Sequence, residues 1–165
     1  MLRQSETGNP AMQFVPALSP AHLAQARELF LEYAQSLGFS LCFQNFDQEL
    51  ANLPGDYCPP DGRLLLAEYD GKLAGCAALH KLEDGICEMK RLYLRPQFRG
   101  KGLGRALAER IISEARQIGY RSMRLDTVES AMRDAVAMYR KIGFRQIAPY
   151  CSNPIPSALY MELQL

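Results

Sequence analysis

The chain has 165 residues, 48% of them hydrophobic, enough for one domain with a sizeable core. Nineteen basic residues against eighteen acidic ones leave a formal net charge of +1, so no global field draws the chain to nucleic acid or to an anionic membrane. Five cysteines, Cys42, Cys58, Cys76, Cys87 and Cys151, are odd in number and lack Cys-x-x-Cys spacing, which argues against a disulfide framework and against a metal site.

In chain order, residues 1–11 read as a flexible polar tail, followed by a short strand near Gln13 to Leu18. A helix is predicted from Pro20 to Leu37, with Ser19 as its cap, Pro20 in its first turn and Leu23, Ala26, Leu29, Phe30, Tyr33 and Leu37 as its buried stripe. A shorter helix spans Asp47 to Leu53, stopped by Pro54-Gly55, and Pro59-Pro60-Asp61-Gly62 forms a turn. Arg63 to Tyr69 and Lys72 to Leu82 flank Asp70-Gly71, a hairpin signal, and Asp84-Gly85 turns the chain again into the run Ile86 to Leu94. A helix over 103–118 follows, then a strand from Arg121 to Thr127 and a helix from Ala131 to Ile142. Strands near Phe144 to Ala148 and Ala158 to Leu163 complete the order. It gives an α+β fold: a mixed, mostly antiparallel sheet of six or seven strands with helices on both faces.

The most informative stretch is Gln97-Phe98-Arg99-Gly100-Lys101-Gly102-Leu103-Gly104-Arg105, between a strand-like run and an amphipathic helix. Glycines at alternate positions bare successive backbone N–H groups, and the helix mouth adds unpaired donors and the positive end of its dipole. Arg99, Lys101 and Arg105 add charge. This reads as an anion site for a diphosphate. The Walker spacing fails because no Ser or Thr follows a Gly-Lys pair, and Gly-x-Gly-x-x-Gly is absent, so nucleotide hydrolysis and hydride transfer lose their support.

Here the chain resembles the GCN5-related N-acetyltransferase (GNAT) family, whose Gln/Arg-x-x-Gly-x-Gly/Ala signature is met by Gln97-x-x-Gly100-x-Gly102 and again by Arg99-x-x-Gly102-x-Gly104. Glu88-Met89-Lys90-Arg91-Leu92-Tyr93-Leu94-Arg95-Pro96 and the segment from Ala135 to Gly143-Phe144 extend the likeness over residues 64–164. The resemblance implies that residues 12–165 form a single N-acetyltransferase domain using acetyl-CoA (coenzyme A) to acetylate a primary amine by direct attack in a ternary complex. It implies that the strand ending at Leu94 splays from its neighbour. Leu92, Tyr93 and Leu94 would then bind the pantetheine arm, and Arg99, Gly100, Lys101, Gly102, Leu103, Gly104 and Arg105 the diphosphate.

By the same resemblance Glu88 is the expected base and Tyr139 the expected acid at the cofactor sulfur. Strand alternation puts Glu88, Lys90, Leu92 and Leu94 on one face. Glu88 equally suits pairing with Lys90 or Arg91, Asp126 and Glu129 are the fallback bases, and Tyr139 also fits an ordinary buried tyrosine. Many family members carry a cofactor-binding asparagine seven residues before this tyrosine, where this chain has Met132; Arg133 or Ser130 are the substitutes.

The acceptor is expected to be a small-molecule or peptide amine. Phe39, Phe43, Phe46 and Tyr57 either wall its pocket or belong to the core, with the turn Tyr150-Cys151-Ser152-Asn153-Pro154 opposite, and Asp47, Glu49 and Asp56 are candidates to attract it. A non-catalytic acyl-CoA-binding module is the alternative, and an RNA-directed enzyme is disfavoured by the near-neutral charge. Without a membrane-length apolar run or a signal-peptide core the expected location is cytoplasmic. The final strand could pair with a second copy in a homodimer.

Overall fold

A computed structural model describes residues 12–41 and 45–165; the tail 1–11, Cys42 and Phe43 lie outside the described residues. Seven strands form one sheet: β1 (Met12–Pro16), β2 (Arg63–Tyr69), β3 (Lys72–Glu83), β4 (Ile86–Leu94), β5 (Ser122–Val128), β6 (Arg145–Gln146) and β7 (Ala158–Gln164). Their spatial order is β1-β2-β3-β4-β5-β7-β6, antiparallel throughout except where β4 meets β5.

Strand alternation divides the core into two layers. On β2, Leu64 and Leu66 point to one face and Leu65 and Ala67 to the other, so an unbroken apolar run serves both. The first face is covered by α1 (Pro20–Ser36) through Ala26, Leu29 and Phe30, and by α2 (Phe46–Ala51) through Phe46. The opposite face takes α3 (Leu103–Ile118) through Leu107, Ile111 and Ala115, and α4 (Arg133–Ile142) through Val136 and Tyr139. Each large aliphatic side chain sealed here contributes about 1.5–3 kcal/mol. Caps fix the helix ends: Ser19 accepts the His22 amide at 3.2 Å, and α3 stops at Gly119 in the left-handed conformation.

Two local departures from regular geometry make the site. β4 and β5 pair only from Ile86–Ser122 to Glu88–Arg124, whereas β5 stays bonded to β7 along its whole length. Beyond Glu88 the two strands part, as the resemblance implies. The second departure is a bulge: Tyr93 pairs with Cys76 and Lys90 with Ala78, so Arg91 and Leu92 together oppose Ala77. Arg91 takes φ +59° to accommodate it.

The bulge corrects the expected alternation, because one extra residue reverses the side chains that follow it. Leu92 joins the α3–α4 layer with Met89, and Leu94 packs beside Leu103, while Tyr93 joins the α1 layer. Glu88 and Lys90 therefore do not share a face with Leu92 and Leu94. The strand expected over 144–148 is also shorter, just Arg145–Gln146. Phe144 turns into the core edge-on to Tyr139, the Ile147 amide makes one further bond to the Tyr160 carbonyl, and Pro149 lacks the N–H to continue.

Candidate active site

The loop before α3 keeps its donors available. Gly100 and Gly102 have φ of +80° and +77°, a conformation costly for any residue with a β-carbon. Among the described residues no backbone carbonyl accepts from the amides of Gly100 to Arg105. Leu103 is fully buried, so it offers only its amide, and Gly104 lets the helix approach Leu94, whose Cδ1 would lie 3.4 Å from an added β-carbon.

The basic side chains are less free than their spacing suggests. The Arg99 amide closes a turn on the Pro96 carbonyl at 3.2 Å, and its guanidinium bonds the Leu94 carbonyl at 2.9 and 3.1 Å, making it a brace between loop and strand. Arg105 pairs with Glu109 at 2.9 Å, and Lys101 lies 4.9 Å from the Tyr69 ring centre.

Where β4 and β5 part, a cleft of about 50 Å³ opens between Leu92, Leu125, Thr127, Tyr33, Met132 and Tyr139. Burial pushes the Tyr139 hydroxyl far above its ordinary range and the Tyr33 hydroxyl up to about 12, so both are protonated donors near neutrality. Thr127 donates to the Met132 sulfur at 3.2 Å, and the Ser130 hydroxyl is bonded to that of Ser157 at 2.7 Å. The side chains of Tyr93 and Leu94 lie outside the cleft: the Tyr93 ring packs edge-on to Tyr33, and Leu94 packs under α3.

On the α1–α2 face a larger chamber of about 540 Å³ is lined by Glu49, Asp56, Glu88 and Asp126, by His80, Lys90 and Tyr57, by the amides Asn45, Gln48 and Asn52, and by Cys151 and Ser152. Lys90 and Asp126 line both hollows. The Lys90 ammonium is 3.8 Å from each of the Glu88 and Asp126 carboxylates. Glu88 accepts from His80 Nε2 at 2.8 Å and from the Tyr150 hydroxyl at 2.6 Å. Burial alone would raise its pKa, but His80, Lys90 and Tyr150 outweigh it and hold the carboxyl below the usual range.

Behind the chamber, the buried Arg91 is gripped by Glu49 at 2.8 and 3.1 Å and lies 5.1 Å from the Phe46 ring centre. Its left-handed backbone, a cost of roughly 1–3 kcal/mol, is thus held by side-chain bonds. Tyr57 donates to Glu49 at 2.8 Å, so Phe46 and Tyr57 are core residues, and Tyr57 also faces the chamber.

Of the expected bases, Glu88 and Asp126 come together in the chamber and Glu129 does not: it is exposed, paired with Arg140 at 3.3 Å. Asp126 accepts from Asn153 at 3.1 Å, and Asp47 lies outside the lining. Sequence reasoning missed His80, Tyr150 and Asn153 as partners of the two carboxylates, and Tyr33 and Thr127 in the cleft. For His80 the one signal was its place on the strand facing Glu88 across the Asp84-Gly85 turn.

Known proteins share this fold and family signature. Residues 23–144 match the model of the Acetyltransferase (GNAT) family. An uncharacterized N-acetyltransferase of Schizosaccharomyces pombe is 44% identical over 148 residues, 88% of this chain and 90% of that protein. A GNAT-family acetyltransferase from Staphylococcus aureus is similar in fold, with a TM-score of 0.76 at 16% identity over 93% of this chain and 99% of that one. An N-acetyltransferase of Thermoplasma acidophilum in complex with coenzyme A gives 0.70 at 20% identity, over 94% and 99%. On a sheet that opens past Glu88 and a family match across most of its length, the chain belongs to the GNAT family, whose members transfer an acetyl group from acetyl-CoA to an amine.

Proposed function

We propose that this chain acetylates a small, polar, cationic primary amine, holding both substrates at once so that the amine attacks directly. One observation carries the reading: the acid-lined chamber and the β4–β5 cleft have Lys90 and Asp126 in common, so an amine in one meets an acyl group in the other. The amides of Gly100 to Arg105 suit the diphosphate of coenzyme A, each bond to a charged oxygen contributing about 1.5–3 kcal/mol. The open edge of β4 at Leu92 to Leu94 suits the amide groups of the pantetheine arm.

Acetyl-CoA supplies the activated acyl group; the protein's part is binding and proton handling. Glu49, Asp56, Glu88 and Asp126 attract an ammonium and repel phosphate and carboxylate, which selects against nucleic acid and acidic acceptors. An alkylamine with a pKa near ~10.4 arrives protonated, so a base must strip it. Glu88, ionised and hydrogen-bonded to His80, supplies the negative charge on which that step depends. Tyr139, kept protonated by burial and lining the cleft, would donate to the departing sulfur. The free thiols Cys58, Cys76, Cys87 and Cys151 suit a reducing compartment, the cytoplasm.

The test is thiol release from acetyl-CoA against polyamines, aminoglycosides, amino acids and peptides. Polycationic amines should outrun glutamate and acidic peptides, and Tyr139→Phe should lower kcat about 10–100-fold while leaving acetyl-CoA affinity in place. Background release across the whole panel would end the transferase reading.

A further inference from the structure

Resting on that reading, we propose that Nδ1 of His80 takes the proton from the incoming amine, with Glu88 as the positioning residue that fixes and charge-balances the imidazole. The case starts from what Glu88 has left to offer. One of its oxygens accepts from His80 Nε2 and the other from Tyr150, and its side chain is 7% exposed against 21% for His80. A carboxylate so fully bonded is a weak base. Its position below the usual carboxyl range points the same way.

The bond to Glu88 also decides the tautomer of His80. With Nε2–H donating to the carboxylate, the lone pair sits on Nδ1. Among the described residues nothing is hydrogen-bonded to Nδ1, and His80 lines the acceptor chamber. The ring is held edge-on by Tyr57 at 6.0 Å. Glu88 and Lys90 on β4, Tyr57 from the turn before β2 and Tyr150 from the loop before β7 are the titratable groups around it. An imidazolium formed there faces Glu88, the pairing that makes a histidine a competent base in hydrolytic triads.

An N–H bond of the ammonium breaks, and its proton moves to Nδ1 and later to solvent through the chamber. The freed lone pair bonds to the acyl carbon as the carbon–sulfur bond breaks. The second nitrogen proton replaces the one that Tyr139 gives to sulfur.

Chemical rescue tests this directly, with the fastest amine of the panel as acceptor. His80→Ala should lower kcat about 100-fold with little change in acetyl-CoA affinity by calorimetry, and added imidazole should restore part of the rate above the enzyme-free background. Glu88→Gln should be slow too, but indifferent to imidazole, because its histidine is still present and merely misheld. A His80→Ala protein that turns over like wild type overturns the proposal. So does one that melts and binds acetyl-CoA like wild type yet stays slow in imidazole. If His80→Ala unfolds early, His80→Gln decides: it keeps the donor to Glu88 without a basic nitrogen, so near-normal turnover refutes the role. Wild type whose thiol release no amine of the panel accelerates removes the transferase reading itself, a different failure from an active enzyme indifferent to His80.

Discussion

The hollows on either side of Lys90 and Asp126 are built from different materials. The cleft and its approach present main chain: bare amides from Gly100 to Arg105 and the open edges of β4 and β5, with two tyrosines behind. The chamber presents side chains, four carboxylates among amides and a histidine. A main-chain site fails when φ or register changes, whereas a side-chain site fails when a charged partner is withdrawn. Arg91 belongs to both, since its backbone makes the bulge beside the cleft and its guanidinium is bonded to Glu49 on the chamber wall.

The largest effect should therefore come where the two halves join. Glu49→Ala takes from the buried Arg91 its two-point carboxylate partner, and breaking such a pair costs about 3–5 kcal/mol. Urea denaturation should show that loss, with turnover falling alongside. A change under about 1 kcal/mol would mean that α2 does not hold the bulge.

Gly102→Ala should separate the halves. A β-carbon at φ +77° costs about 1–2 kcal/mol, and acetyl-CoA binding should weaken about 10-fold while the amine KM stays put. Equal shifts in both constants would break the division.

The smallest effect is electrostatic. Because the Glu88 pKa is lower folded than unfolded, its stabilising contribution is full above the unfolded glutamate value of about 4.3 and fades as pH falls through the folded value. The Tm advantage of wild type over Glu88→Gln should hold near neutrality and shrink as pH falls from about 5 to about 3; a gap that grows on acidification would reverse the sign of the coupling.

The same contrast explains what could be read in advance. The bounds of β4 and α3 follow from residues within a few positions, the Asp84-Gly85 turn, Pro96 and Gly119, and so does the glycine loop. The bulge was hidden because Arg91 carries a β-carbon and nothing marks it for a left-handed backbone. A second irregularity, between Lys81 and Glu83, hid the pairing of His80 with Glu88: counting inward from Glu83–Ile86 would set His80 against Met89. Tyr150 and Asn153 reach Glu88 and Asp126 from loops 62 and 27 residues away, and no local pattern encodes such meetings.

Strand β4 carries two opposite parities in series, joined at Arg91. Deleting Arg91 alone would restore an even ladder, Leu92 opposite Ala77, and leave Glu88, Lys90 and Tyr93 on one side with Met89, Leu92 and Leu94 on the other. The additional residue therefore serves the guanidinium rather than the faces: it sets Arg91 beside Phe46 and Tyr33 and within reach of Glu49, and the layers after it carry on undisturbed.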